Sequence, residues 1–403
     1  MTQTPVSNRI HIGFFGRRNA GKSSLINAIT GQELSIVSAT PGTTTDPVGT
    51  AMELAGIGPV YLYDTAGIDD SGELGAKRVA RTEAVLRKIN IAIFVTTYDT
   101  LDAHELETIR LMKTQVQRLL VVINKSESSA DAGKEHSLAL LGVPFVDASC
   151  HTGKNIDAVK RLIVTHGSGL AAQGSILGGL IRHGSVVLLV VPIDTGAPAG
   201  RLILPQAQTI RDVLDHNAVT IVATEFELTH ALSMLASPPA LVVCDSQAVE
   251  KVAAEVPPHV PLTTFSILFS RLKGDLSAFI DGVNAADMLN DGDRVLILET
   301  CTHHAQADDI GRVKIPRWLK KYTGKDLSFE VNAGGNLSKD LSRYKLIVSC
   351  GACMINRQEM QNRLVEARTR GIPITNYGVL ISQMHGVLDR VLEPFAGELA
   401  CAG

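Results

Sequence analysis

The chain has 403 residues, and its charges nearly cancel, with 38 Lys and Arg against 41 Asp and Glu for a formal net charge of −3. This balance argues against a dedicated nucleic-acid partner, which would require a basic excess. Hydrophobic residues make up 45% of the chain but aromatic residues only 4%. The cores must therefore be mainly aliphatic, as in α/β proteins with buried parallel strands. Six cysteines are too few for a disulfide framework.

Neither a signal peptide nor a membrane-spanning segment is predicted. The apolar run at 10–15 is too short for the core of a signal peptide. The longest run elsewhere, 186–193, is shorter than half a membrane span and indicates a buried strand. The sequence therefore predicts a soluble, cytoplasmic protein with neither a membrane nor a nucleic acid as its partner.

Three successive segments alternate strands with helices, which predicts an α/β fold of three domains, each with a mostly parallel sheet and flanking helices. The predicted domains are 1–168, 176–267 and 268–403. In 176–267 only 12 of 92 residues are charged, about 13% against 20% for the whole chain. A surface covered by a partner explains this composition, and so does a compact sheet wrapped on all sides.

Residues 16–23 read G-R-R-N-A-G-K-S and lie between an apolar strand and a predicted helix. This pattern in this context is typical of a phosphate-binding loop. Backbone N–H groups and the helix N-terminus bind phosphate oxygens, Lys22 neutralises the β- and γ-phosphates, and Ser23 ligates Mg²⁺. The residues predicted to bind the phosphates are Gly16, Asn19, Ala20, Gly21, Lys22, Ser23 and Ser24.

Two further segments follow in the order that a nucleotide site requires. Residues 41–45 read P-G-T-T-T and offer Thr44 as a second hydroxyl ligand of Mg²⁺. Residues 64–67 read D-T-A-G after a strand. This placement predicts Asp64 near the water shell of the metal and the Gly67 N–H near the γ-phosphate.

Two loops later in the same segment are predicted to bind the base. Residues 124–127 read N-K-S-E directly after an apolar strand, and 149–151 read S-C-H before the last helix of the unit. The predicted base-binding residues are Asn124, Lys125, Glu127, Ser149 and Cys150.

Together these segments resemble the five G motifs of the Era/TrmE-like GTPases, over about residues 8–165. The resemblance implies GTP and GDP as ligands and a slow hydrolysis of GTP as the activity. The residues that it implies for catalysis are Lys22, Thr44, Asp64, Gly67 and Asn19.

The chain departs from that GTPase pattern in three of its segments. Glu127 replaces the usual Asp, which loosens the fit to the guanine edge, and S-C-H replaces S-A-K. Ile68 stands where other GTPases have a Gln that orients water, so the attacking water needs another orienting group. In the related subfamily an Asn at the place of Asn19 helps to hold K⁺, which predicts stimulation by K⁺. The alternative is that Asn19 only stabilises its own loop.

Three of the six cysteines follow two predicted parallel strands. Cys301-Thr-His303 comes after the strand at 294–299, and 350–353 read C-G-A-C after the strand at 345–348. The carboxyl ends of parallel strands are where α/β folds place their sites. We expect a helix to begin at the second motif and to lower the pKa of Cys350 and Cys353. Spacing alone leaves open a zinc site, a [4Fe–4S] cluster, a redox pair and no metal.

This order of domains and motifs is similar to the HydF family, the GTPases of [FeFe]-hydrogenase maturation, over essentially the whole chain. The resemblance implies a [4Fe–4S] cluster held by Cys301, Cys350 and Cys353 with an exchangeable fourth position. Ser349 stands where the family has a second His. The fourth position is therefore left to water, to His303 or His304, or to an incoming precursor, and His303 is equally suited to orient a thiolate.

The resemblance also implies a role in assembling the catalytic H-cluster of the hydrogenase. The chain would be a homodimeric scaffold that receives a di-iron precursor from two radical-SAM maturases and delivers it to apo-[FeFe]-hydrogenase. GTP binding would change partner association by ordering the loop at 43–45. Two rival hypotheses are an Era-like regulatory GTPase with a structural Cys₃His zinc site and a redox enzyme that uses Cys350 and Cys353.

Overall fold

A computed structural model of the chain describes residues 4–31, 49–65, 67, 84–98, 102–127, 132–170, 174–193, 202–300, 309–333 and 340–400. The chain forms two compact units, residues 1–173 and 174–403. Within the described ranges, none of the helices combines the length and the apolar character needed to cross a membrane.

The first unit is built on a six-stranded sheet with the order β2-β3-β1-β4-β5-β6. Its strands are β1 (Ile10–Phe15), β2 (Gly49–Leu54), β3 (Gly58–Asp64), β4 (Ile91–Thr97), β5 (Arg118–Asn124) and β6 (Phe145–Asp147). The pairings are parallel except for the antiparallel pair β2–β3. Strands β1, β4 and β5 are buried almost throughout, as central strands covered on both faces must be.

Helices cover both faces of this sheet. They are α1 (Lys22–Thr30), α2 (Ala103–Gln115), α3 (Ala132–Leu140) and α4 (Ile156–Gly167). Successive side chains of a strand point to opposite faces. Accordingly, Phe14 belongs to one apolar cluster and Phe15 to another. Asp102 caps the start of helix α2, and its side chain accepts the Glu105 N–H.

The second unit contains two four-stranded sheets, with the orders β10-β9-β7-β8 and β12-β11-β13-β14. The first comprises β7 (Val186–Val190), β8 (Val219–Ala223), β9 (Leu241–Cys244) and β10 (Leu262–Thr264). The second comprises β11 (Arg294–Glu299), β12 (Ser328–Ala333), β13 (Leu346–Ser349) and β14 (Ile374–Asn376). Each pairing in the described part of both sheets is parallel. The predicted α/β class with mostly parallel sheets is therefore confirmed.

Ten α-helices are described in the second unit. They are α5 (Leu204–Asp215), α6 (Leu228–Ser233), α7 (Val249–Glu255), α8 (Phe265–Lys273), α9 (Leu276–Asn284), α10 (Ile315–Thr323), α11 (Arg357–Thr369), α12 (Tyr377–Met384), α13 (Leu388–Leu392) and α14 (Ala396–Ala400). A single apolar cluster runs through both sheets and their helices. Helix α8 continues without a break across position 267, where the sequence pattern predicts a domain boundary.

Gly282 brings helix α9 into direct backbone contact with strand β14. A Cβ at this position would lie 1.9 Å from the carbonyl oxygen of Ile374. We therefore expect Gly282→Ala to lower the free energy of unfolding of the second unit by about 1–3 kcal/mol. Calorimetric unfolding measures this loss. Gly397→Ala is the matched control, because Gly397 lies in helix α14 with open space around it. An equal Tm for the two variants would contradict the close packing.

Candidate functional site

The phosphate-binding loop follows β1 and leads into α1, and its glycines stand where a side chain has no room. Gly16 has φ +139°, and a Cβ there would lie 2.1 Å from the Val95 carbonyl oxygen. Gly21 has φ +94°, and a Cβ there would lie 2.1 Å from Asn124 Nδ2. Both positions combine a positive φ with a close approach to a neighbouring strand, which only glycine tolerates.

Lys22 is turned back into this loop. Its ammonium donates to the carbonyl oxygens of Gly16, at 3.1 Å, and Arg17, at 2.9 Å. The side chain is only 8% exposed. Asn19 adopts φ +63°, the left-handed conformation that Asn accepts more readily than most residues. The loop is thus curved around a buried positive charge, as phosphate binding requires.

Ser23 and Asp64 meet at the predicted Mg²⁺ position. The Ser23 hydroxyl donates to Asp64 Oδ2 at 2.5 Å. The other carboxylate oxygen, Oδ1, is buried and has no hydrogen-bond partner among the described residues. A hydroxyl beside an unsatisfied carboxylate oxygen suits a hard cation with oxygen ligands. Thr44 and Ile68 lie outside the described residues.

Asn124 connects the predicted base-binding loops to the phosphate-binding loop. Its amide donates to the Ala20 carbonyl oxygen at 2.9 Å, and its Oδ1 accepts the Cys150 N–H at 3.1 Å. The structure therefore brings three of the predicted segments together through one side chain. Ser24 is exposed on the first turn of α1.

Glu127 is exposed next to the predicted base position. The Ser149 hydroxyl hydrogen-bonds to its carboxylate and, as the main cause, lowers the pKa of Glu127 below its usual value. Lys125, two residues earlier, has φ +59°. A charged carboxylate oriented in this way can accept hydrogen bonds from the N–H groups of a base.

A partly buried charge network beside the phosphate-binding loop is not predicted from the sequence. Arg17 forms ion pairs with Asp102 and with Glu105, the latter at 3.5 Å. Glu105 is fully buried, and burial raises the pKa of its carboxyl group. Lys134 joins the network through a 3.1 Å hydrogen bond to Thr96. The pairing of these residues depends on three separate elements, so no local motif reveals it.

The two cysteine motifs follow strands that lie side by side. Strands β11 and β13 pair in parallel, with Leu298 opposite Ser349. The Cys350 N–H donates to the Leu298 carbonyl oxygen at 2.9 Å, and the Thr300 hydroxyl lies 3.2 Å from Cys350 Sγ. Thr300, the last described residue before Cys301 in the sequence, therefore contacts the second motif.

The prediction that a helix begins at Cys350-Cys353 is wrong. Helix α11 begins only at Arg357, after Asn356, whose side chain accepts the Glu359 N–H. The cysteines lie in the preceding turn, and burial raises the pKa of Cys353 to about 11 instead of lowering it. The capping pattern N-R-Q-E at 356–359 is the sequence signal that marks the true start.

Lys273 holds this turn, which we call the cysteine loop (residues 350–355). The Lys273 ammonium donates to three carbonyl oxygens of the loop. They are those of Ala352 at 3.1 Å, Cys353 at 3.1 Å and Ile355 at 2.8 Å. The side chain is 1% exposed, and burial lowers its pKa to about 8. The last residue of an amphipathic helix is usually exposed, so the sequence pattern does not predict this role.

The donors of the cysteine loop fit a metal that prefers sulfur. Its two thiols are soft ligands suited to zinc or to an iron–sulfur cluster. Within the described ranges, no group of three or more His, Cys, Asp or Glu residues is arranged to hold a metal. The third predicted cysteine, Cys301, and the neighbouring His303 and His304 lie outside those ranges.

The fold and the first site together define a P-loop GTPase domain. In agreement, a family model described as "50S ribosome-binding GTPase" matches residues 11–125. Two further models match the rest: the hydrogen maturase F dimerization domain at 176–274 and the hydrogen maturase F tetramerization domain at 277–394. The chain belongs to the hydrogen maturase F family of hydrogenase-maturation GTPases.

Curated relatives resemble part of this chain. The GTPase Der of Wolinella succinogenes is 36% identical over 168 residues, which are 39% of this chain and 36% of that protein. The tRNA modification GTPase MnmE of Paramagnetospirillum magneticum is 37% identical over 152 residues, 37% of this chain and 32% of that protein. The chain thus spans about a third of the length of these relatives. The G domain of the T. maritima FeoB iron transporter is a solved structure with a TM-score of 0.33 and 21% identity, covering 39% of this chain and 98% of that one.

Proposed function

We propose that this chain is a scaffold of [FeFe]-hydrogenase maturation. It carries a [4Fe–4S] cluster, binds the di-iron precursor of the H-cluster as cargo and delivers it to apo-hydrogenase. The observation that carries the proposal is the pair of thiols, Cys350 and Cys353, directly after strand β13 in a chain with hydrogen maturase F domains. In this proposal residues 1–168 form the GTPase domain, 176–267 the dimerisation domain and 268–403 the cluster domain.

The proposed cluster ligands are Cys301, Cys350 and Cys353. Three thiolates leave one iron with a replaceable ligand, which suits a scaffold that must bind cargo and release it. His303 is the candidate for the fourth position or for orienting a thiolate from outside the cluster. The two radical-SAM maturases are the proposed source of the precursor.

In the GTPase domain we propose that Lys22 neutralises phosphate charge and that Ser23, Thr44 and Asp64 hold Mg²⁺. The metal, when bound, neutralises charge that develops on the phosphate oxygens. The remaining proposed nucleotide contacts are Gly16, Asn19, Ala20, Gly21, Ser24, Gly67, Asn124, Lys125, Glu127, Ser149 and Cys150.

The matched dimerization and tetramerization models support a chain that self-associates. We propose a homodimer through 176–267, in keeping with the low charge of that segment. GTP binding would change the affinity for the maturases and the hydrogenase by ordering the loop at 43–45. Equal partner affinities in the GTP- and GDP-bound states would contradict this coupling.

Potassium is the expected stimulant of the GTPase. Asn19 already has the left-handed loop conformation beside Lys22, and Ile68 cannot orient water. We expect GTP hydrolysis by the purified chain to be faster in KCl than in NaCl of equal ionic strength. Asn19→Ala should remove the difference while Asn155→Ala, a substitution away from the site, should keep it. Equal rates of the unmodified protein in both salts would contradict a K⁺ role.

Glu127 is expected to select the base. A carboxylate accepts from the N1–H and the amino group of guanine, whereas an amide can donate to the C2 carbonyl of xanthine. Glu127→Gln should therefore weaken the binding of GDP and strengthen the binding of XDP. The ratio of the two Kd values should change by about 100-fold, because a hydrogen bond to a charged group contributes about 1.5–3 kcal/mol. Calorimetric titration measures both Kd values. Glu107→Gln, an exposed change on α2, is the control, and an unchanged ratio in Glu127→Gln would show that the side chain does not contact the base.

A further inference from the structure

Lys273 connects two parts of the chain that the family models separate. It ends helix α8 within the stretch matched by the dimerization model, whereas the cysteine loop lies within the stretch matched by the tetramerization model. Its ammonium donates hydrogen bonds to three backbone carbonyl oxygens of that loop. The amide of Gln361 donates in turn to the carbonyl oxygens of Lys273, at 3.3 Å, and Gly274, at 2.9 Å, which fixes the end of the helix.

These hydrogen bonds determine which way two peptide groups face. None of the described peptide bonds is cis, and in a planar trans peptide the C=O and the next N–H point in opposite directions. The carbonyl oxygens of Ala352 and Cys353 face Lys273. The N–H groups of the same two peptides, those of Cys353 and Met354, therefore point away from Lys273. Lys273 thus fixes the direction of the two N–H groups that flank Cys353.

The loop backbone needs such support. Ala352 has φ +54°, which a residue with a Cβ adopts only when its surroundings hold it there. Its side chain is buried, so the conformation is not a feature of a solvent-exposed turn. The cationic hydrogen bonds from Lys273 to the carbonyls on both sides of Cys353 supply that constraint.

We propose that Lys273 is a positioning residue for the iron–sulfur cluster. It holds the cysteine loop so that two N–H groups point at the Cys353 sulfur, and it places a positive charge behind them. This inference rests on the proposed cluster function. Hydrogen bonds to cluster sulfurs and nearby positive charge favour the reduced, more anionic state and so raise the reduction potential.

The test compares the unmodified full-length chain with Lys273→Met after anaerobic reconstitution with iron and sulfide. Methionine keeps a long apolar stem but has neither the charge nor the donors. We expect a more negative midpoint potential in an EPR-monitored redox titration and a release of iron to a chelator that is about tenfold faster. Lys320→Met is the matched control, because Lys320 pairs with Asp326 at the surface. The control should keep the potential and the release rate of the unmodified chain.

The outcomes separate this inference from the proposed function. If the unmodified chain takes up no cluster, the proposed function fails. If it takes up a cluster and Lys273→Met has the same potential and release rate, only the role of Lys273 is overturned. If circular dichroism shows that Lys273→Met does not fold, a Raman measurement on the unmodified protein replaces the comparison. A shift of its Fe–S(Cys) Raman frequencies after exchange into D₂O supports the N–H···S contacts, and the absence of a shift overturns them.

Discussion

Replacing Cys353 by serine is expected to leave the purified chain with almost no bound iron. The Cys353 thiol is partly buried in the cysteine loop, and this burial raises its pKa. A serine hydroxyl is a hard oxygen donor that replaces thiolate poorly in an iron–sulfur cluster. The iron content after anaerobic reconstitution should fall from about four per chain to a small fraction of that.

A different cysteine supplies the control for that loss. Cys244 is buried in β9, at the end of a strand in the other sheet of the second unit. Cys244→Ala should retain the full iron content and the same visible spectrum. Unchanged iron in Cys353→Ser would contradict the assignment of this cysteine as a ligand, whereas equal loss in both variants would indicate damage to the fold.

Replacing Lys22 by methionine is expected to lower the rate of GTP hydrolysis by about 100- to 1,000-fold. Removing one preorganised hydrogen-bond donor that faces the charge developing in the transition state lowers a reaction rate by a factor of this order. The Lys22 ammonium is buried in the phosphate-binding loop, where it donates to the carbonyl oxygens of Gly16 and Arg17. Single-turnover hydrolysis at saturating GTP measures the rate separately from nucleotide affinity.

Two controls accompany that experiment. Lys160→Met removes a lysine that lies 3.9 Å from Asp157 on helix α4, and it should hydrolyse GTP at the unmodified rate. The iron content of Lys22→Met should also stay unchanged, because the proposed cluster ligands lie in the other unit of the chain. A normal rate in Lys22→Met would contradict the proposed role of the loop.

The sheets could be predicted from the sequence where their strands are buried on both faces. Strands such as β4 and β9 must then be apolar along their whole length, and uninterrupted apolar runs are easy to recognise. Strand β2 has no such pattern, because Leu54 alone is buried among its six described residues. The antiparallel edge of the first sheet was therefore beyond the reach of the sequence pattern.

The nucleotide site was predictable for a related reason. The backbone near phosphate requires glycine at fixed spacing, and the structure places Gly16 and Gly21 where a Cβ would collide. The surroundings of the cysteines were not predictable in the same way. Lys273 donates to a loop whose first contacted residue, Ala352, lies 79 residues further along the chain. Only the fold brings these residues together.

The start of helix α11 shows how a local signal can be misread. A Cys-x-x-Cys motif after a strand favours a helix that begins at the motif, but Asn356 caps the helix three residues after Cys353. The intervening residues form the turn around Lys273 instead. Burial consequently raises the pKa of the Cys353 thiol, and a helix N-terminus does not lower it.

Metal analysis of the full-length chain, purified and reconstituted without oxygen, shows whether this chain carries an iron–sulfur cluster. Iron and acid-labile sulfide are quantified together with zinc, and visible and EPR spectra are recorded on the same sample. A scaffold for hydrogenase maturation should contain about four iron and four sulfide per chain, with the EPR signal of a reduced [4Fe–4S] cluster. A colourless protein with one tightly bound zinc per chain would contradict the proposed scaffold role and favour a regulatory GTPase with a structural metal site.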